Sequence, residues 1–170
     1  MCLSQSLYAF ADFGGGITRR NRISLLAKGI LSQGSSTPGW IAGVQSVAYL
    51  AGGPMYWGLE VDYGNPAGPG SDLLVVGANL GMESVRGAFL IGGNLGLDAI
   101  QSSQQADTLA NNPGFAVEPQ AYFGFVIGGG WRLAFTGSYF VIPTISAYSG
   151  PTLGIRLDYK TETTIRPVDD

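Results

Sequence analysis

Six side chains carry the opposed charges most able to do chemistry together: Glu60, Asp62, Glu118, Arg132, Arg156 and Asp158. Glu60 and Asp62 stand two apart, as do Arg156 and Asp158, in segments that are otherwise apolar at every second position. Paired carboxylates are the equipment of general acid–base and glycosyl-transfer chemistry. On a β-strand, however, residues two apart share a face whatever their purpose. No nucleophile motif accompanies these pairs. The 170-residue chain contains no histidine, which removes Ser–His and Cys–His mechanisms and every His-ligated metal site. Its one cysteine, Cys2, permits neither an intrachain disulfide nor a Cys₄ site. Cys2 reads as an incidental thiol or as a lipidated residue, although no lipobox precedes it. Gly14-Gly15-Gly16 lacks Walker or dinucleotide spacing. The expectation is a protein that is not an enzyme, with no catalytic residue, no metal and no cofactor.

A second constellation is basic. Arg19, Arg20, Arg22 and Lys28 supply four of the nine Lys and Arg residues within one short stretch. If that stretch is an exposed loop, it can hold the phosphates of lipopolysaccharide or another polyanion; the plainer reading is a solvated loop. Net charge is −3, so no nucleic-acid partner is expected. Charged residues make up only 12% of the chain, against roughly 25% in an ordinary soluble domain. Hydrophobic residues reach 45%, and there are 27 glycines. Residues 1–20 show no basic segment followed by an apolar core, so either the chain stays inside the cell or it is a mature form with an added Met1.

Period-two alternation predicts the elements that hold these residues. Met55, Trp57, Leu59, Val61 and Tyr63 alternate with Tyr56, Gly58, Glu60, Asp62 and Gly64. Leu153, Ile155, Leu157 and Tyr159 alternate likewise with Thr152, Gly154, Arg156, Asp158 and Lys160. Eight strands are expected, near residues 3–13, 40–51, 55–64, 73–83, 85–98, 115–127, 131–141 and 151–160. A polar tail would occupy 161–170. The connections run long, short, long, short, as in an up-and-down barrel with its large loops at one end. Residues 21–34 resist assignment. Ile23, Leu26, Ala27, Ile30 and Leu31 fall at helical spacing in what would be the first long loop, yet Ile23, Leu25, Ala27 and Leu31 also fit one face of a strand.

Which face points inward follows from the charges. In the six clearest strands every charge falls opposite the bulky residues, on the face that also carries most of the glycines. An apolar-in barrel would show solvent a surface of glycine with few charges. The opposite arrangement puts bulky residues against lipid and packs glycines with opposed charges inside. Ten tilted residues then span roughly 25 Å, the height of such a membrane band. Trp57, Tyr63, Phe115, Trp131, Tyr139 and Tyr159 lie on the apolar face, several near strand ends where interfacial girdles sit. The charges would form a salt-bridged plug or, on a functional reading, a polar pathway.

On these features the chain resembles the small eight-stranded outer-membrane barrels of the OmpA-like and OmpX-like group, in architecture and without a subfamily motif. The resemblance covers about residues 3–160. It implies an all-β, eight-stranded antiparallel transmembrane β-barrel in a bacterial outer membrane, with membrane lipid and lipopolysaccharide as surroundings and both termini periplasmic. Thr152, Gly154, Leu157 and Tyr159 look like the terminal-strand signal read by the barrel-assembly machinery. Such barrels usually end on an aromatic residue, whereas here the tail continues. Lipid A-modifying enzymes and omptin-like proteases share this architecture but depend on a histidine that this chain lacks. A structural or surface-interaction role is expected, with a protein partner met through the long loops. The alternatives are a narrow pore for small or hydrophobic solutes and a soluble ligand-binding barrel.

Overall fold

The computed structural model describes residues 17–50, 53–102, 114–143 and 146–165. Eight strands follow in chain order: β1 (Ile17–Ile30), β2 (Gly39–Tyr49), β3 (Met55–Asn65), β4 (Leu73–Arg86), β5 (Phe89–Ser102), β6 (Gly114–Gly128), β7 (Trp131–Phe140) and β8 (Gly150–Ile165). Each pairs antiparallel with the next, and β8 pairs back onto β1, closing the barrel. Closure leaves no edge, which is the condition for a sheet in hydrocarbon: no water is there to satisfy an unpaired N–H or C=O.

Seven of the expected strands are present with shifted ends, and the first is different. The expected strand at 3–13 lies outside the described residues, and β1 takes its place in the barrel. Of the segment at 21–34, residues 21–30 are therefore strand, and no helix is present there. Its helical period arose because Leu26 and Ile30 are apolar on the inner face while Ile23 and Leu31 are apolar on the outer. The short helical element among the described residues is instead a 3₁₀ turn at Ser146–Tyr148. The β4–β5 turn falls at residues 87–88 rather than near Ser84, with Gly87 at φ 61°. The tail expected from 161 begins as strand: Thr161 to Ile165 pair with Asn21 to Ile17.

The pairing Ile17↔Ile165 lies at the rim that also carries the turns 87–88 and 129–130, the end of β2 at Tyr49 and the start of β3 at Met55. Connections 31–38 and 66–72 lie at the opposite rim, as do the ends Ser102 of β5, Gly114 of β6, Phe140 of β7 and Gly150 of β8. Around the outside runs an apolar band that includes Leu25, Val44, Leu59, Val76, Leu97, Phe123 and Ile155, each exposed. Aromatic rings edge it. Trp131 stacks with Tyr159 at 4.9 Å and Phe89 with Phe125 at 5.7 Å near the turn rim; Trp40 meets Tyr63 at 6.1 Å near the loop rim. This surface fits lipid and rules out the soluble barrel with an apolar interior. The chain spans a membrane.

The inner face is polar and steeply graded in size. A Cβ on Gly43 would lie 1.8 Å from an Asp62 carboxylate oxygen, and one on Gly77 would lie 1.7 Å from Asp98. Gly92 stands beneath the Tyr122 hydroxyl and Gly81 beneath Tyr56. Asp62, Asp98, Tyr56 and Tyr122 thus each lie across a glycine on the neighbouring strand, which is why glycines share the charged face. An eight-stranded interior is only wide enough for such filling. A charge on the outer band should be costly: Leu59→Arg, near mid-height of β3, is expected to cost about 2–4 kcal/mol in lipid vesicles, measured by denaturant titration. A cost below about 1 kcal/mol would place Leu59 away from hydrocarbon.

Candidate functional site: the interior charge network

The inward positions stack in layers. Nearest the turn rim, Glu83 of β4 is the shared acceptor: it takes Arg22 Nη1 at 2.6 Å, Arg132 Nη1 at 2.5 Å and the hydroxyls of Tyr49 and, at 3.3 Å, Tyr122. Arg156 pairs with Asp158 on its own strand: Nη2 donates to Oδ2 at 3.0 Å, and Nε lies 2.8 Å from Oδ1 as an ion pair. Its guanidinium lies 3.8 Å from the centre of the Tyr122 ring, and that of Arg22 lies 4.7 Å from the centre of Tyr56. Arg22, Arg156 and Asp158 are fully buried. A charge in such a place survives only when paired and hydrogen-bonded, and stacking on aromatic faces serves the guanidinium sides that no carboxylate reaches.

Above lies a belt of neutral amides. Gln45 accepts from Arg22 Nη2 at 2.8 Å and donates to Glu60 at 2.8 Å, so one side chain links the lower and upper charges. Asn94 donates to Gln120 at 3.2 Å. The next layer centres on Lys28, whose Nζ lies 3.1 Å from Glu60, 3.3 Å from Asp62 and 3.0 Å from Glu118. Ser138 donates to Glu118. Asp98 is buried at the same level. Carboxylate oxygens of Glu60, Asp62 and Glu118 come within 4.8 Å of one another, a spacing a metal ion could use. The Lys28 ammonium occupies the centre of that triangle, so the cation of this cluster is covalently supplied.

The loop rim is closed by an apolar cap: Ile30, Ile41, Leu73, Val75, Ile100, Ala116, Phe140, Ile142 and Tyr148. Sequence reading missed it, because at these strand ends both faces are apolar (Leu73 to Val76, for example) and the alternation fades. The long connections reinforce it. Gln33 N donates to Ser149 O and Gly34 N to Ala147 O, continuing the β1–β8 ladder past the strands.

All six charges singled out from sequence point inward, but they divide. Glu60, Asp62 and Glu118 sit in the upper layer; Arg132, Arg156 and Asp158 sit in the lower. Arg22, Lys28 and Glu83 are the hubs, and none was among the six. Two of them had been given to an exposed polyanion site. The structure corrects this: Arg22 and Lys28 are buried at 0% and 3% exposure, on the inner face of β1. Arg20 pairs with Glu162 at 3.2 Å, near the turn rim. Arg19 belongs to the same strand. The four therefore do not form a loop patch, and the long connections contain no Lys or Arg at all. The signal that could have placed them was the in-phase series Arg20, Arg22, Ser24, Lys28 opposite Ile23, Leu25 and Leu31. Of the terminal-strand set, Thr152 and Gly154 lie on the inner face of β8, while Leu157 and Tyr159 face outward.

No family model and no curated protein matches the sequence. Solved structures do match the fold. The N-terminal β-barrel domain of Pseudomonas aeruginosa OprF superposes with a TM-score of 0.60 at 8% identity, covering 84% of this chain and 97% of that one. Neisserial surface protein A gives 0.56 at 9% identity, covering 85% and 97%. The architecture is that of the small eight-stranded outer-membrane barrels.

Because Glu83 neutralises two buried guanidiniums, Glu83→Leu is expected to destabilise the barrel by about 3–5 kcal/mol. Replacing Arg132 as well should recover part of that loss in a double-mutant cycle read by denaturant titration. Strictly additive losses would mean that the two side chains do not interact. Lys28→Met should be similarly costly, and adding Glu118→Gln should relieve it, since fewer carboxylates then face one another unpaired.

Proposed function

We propose that this chain is an integral barrel of a bacterial outer membrane, plugged from within and non-catalytic, with a structural or surface-interaction role. The observation that carries this is the filled interior. The lower layer sets three guanidiniums against two carboxylates, and the upper sets one ammonium against Glu60, Asp62, Asp98 and Glu118. An ion of either sign crossing the barrel would meet one layer that repels it, and an apolar cap besides. The carboxylates that might have served as acid and base are engaged with Lys28 or Arg156 and are enclosed.

With Ile17 and Ile165 at the periplasmic rim, the opposite rim, with connections 31–38 and 66–72, faces outward from the cell. These connections are rich in Ser, Thr, Gln, Pro and Gly and hold no basic residue. A protein partner would meet a hydrogen-bonding surface without basic groups, in which Asp72 is an acid. Lipopolysaccharide would be met by its acyl chains along the apolar band rather than by its phosphates at a basic loop. The alternation of Thr152, Gly154, Leu157 and Tyr159 on β8 supports recognition by the barrel-assembly machinery.

Reconstitution into planar bilayers tests the plug. The expected result is a folded, heat-modifiable protein that gives no sustained conductance steps. Stable steps would favour instead a narrow pore through a rearranged interior.

A further inference from the structure

The eight seams of the barrel are unequal. Pairing between β4 and β5 runs unbroken through fourteen rows, from Leu73↔Ser102 to Arg86↔Phe89. Between β6 and β7 it is continuous for only seven, from Gln120↔Ser138 to Val126↔Arg132. Toward the turn rim the register shifts between Val126 and Gly128. Toward the loop rim two rows are missing, and pairing resumes only at the isolated bridge Val117↔Val141.

The cause of the upper break is Pro119. A proline inside a ladder has no N–H to give, and in a closed barrel there is no free edge on which to hide it. The register sets Pro119 opposite Tyr139. Val117 and Val141 exchange both of their backbone bonds at 3.0 Å, so the next hydrogen-bonded position along the ladder is the one where Pro119 cannot donate. The next outward-facing row pairs Ala121 with Gly137, two small residues that leave the outer face thin. A hollow of about 870 Å³ lies at this place, lined by the outward residues Pro119, Ala121, Gly137 and Tyr139 and also by the inward Gln120 and Ser138. On the other side of β6, pairing with β5 is continuous through Leu95↔Pro119.

We propose that the β6–β7 seam around Pro119 is where the barrel wall opens locally while the other seams hold. A seam that lacks a ladder bond, is interrupted at both ends and is covered by small residues has the lowest local cost of separation. Its opening uncovers Gln120 and Ser138, inner residues of the amide belt and upper layer, and leaves the Lys28 cluster anchored on β1 and β3.

Amide hydrogen exchange in micelles tests this. In the wild type, the amides of Val117, Ala121 and Val141 should exchange about tenfold faster than ladder amides of β4–β5 at the same depth. Pro119→Val restores an N–H opposite Tyr139 and keeps an apolar outer face; it should bring β6–β7 exchange close to that of β4–β5. Equal protection of the two seams in the wild type would overturn the proposal, and that comparison stands even if the variant does not fold. Unchanged fast exchange in a heat-modifiable Pro119→Val protein would also overturn it, since the proline would then not be the cause.

Discussion

Backbone hydrogen bonding in hydrocarbon is the constraint from which the rest follows. Every N–H and C=O in the membrane must find a partner within the protein, and a sheet can meet that demand only by closing on itself. Closure here is made by β1 and β8, whose ladder runs from Ile17↔Ile165 to Ile30↔Thr152 and continues into the loops. Once the sheet closes with eight strands, the outside must be apolar and the inside must be small. The alternation of Trp57, Leu59 and Val61 with Gly58, Glu60 and Asp62 is the sequence form of that division.

A narrow interior imposes its own economy. Several large polar side chains fit because the adjacent strand offers a glycine, as Asp98 lies against Gly77 and Tyr122 against Gly92. Charges fit only if they are paired, and apart from Arg156 with Asp158 on β8 the partners come from other strands. Glu83 of β4 gathers Arg22 of β1 and Arg132 of β7, and Lys28 of β1 gathers acids from β3 and β6. These pairs cross the barrel, so the network ties distant strands together as well as filling space. Whether a buried ion pair adds net stability depends on its desolvation cost, but breaking one by removing a single partner is reliably unfavourable. The apolar cap at the loop rim then completes the filling where no charges remain.

Strand number, antiparallel wiring and the inward direction of the charges were legible in the sequence, because a period of two with charges opposite bulky residues admits one arrangement in a membrane. β1 was not. Arg19, Arg20, Asn21 and Arg22 look like a solvated loop when read as composition, and apolar residues on both faces of the strand imitate a helical repeat. Without β1, the hubs Arg22 and Lys28 could not be assigned to the interior. Pairing partners were equally out of reach, since Lys28 meets Glu118 across ninety positions of chain. The place of the β4–β5 turn slipped because Ser84, Val85 and Arg86 carry no strong turn signal, whereas Gly87 does. Gly129 and Gly130, by contrast, announced their turn and adopt the positive φ it needs, 58° and 85°.

The inverted barrel, apolar outside and charged within, is tested most directly by its tryptophans. Trp40, Trp57 and Trp131 all face outward, Trp40 near the loop rim and the other two toward the turn rim. Brominated lipids quench indole fluorescence on contact, with a strength that reports depth. In vesicles, each single-tryptophan protein should be strongly quenched by brominated acyl chains and poorly by aqueous acrylamide, with Trp40 and Trp131 matching shallow bromine positions. Tryptophans insensitive to brominated lipid, in a protein that folds cooperatively in plain buffer, would contradict the arrangement and turn the apolar faces inward.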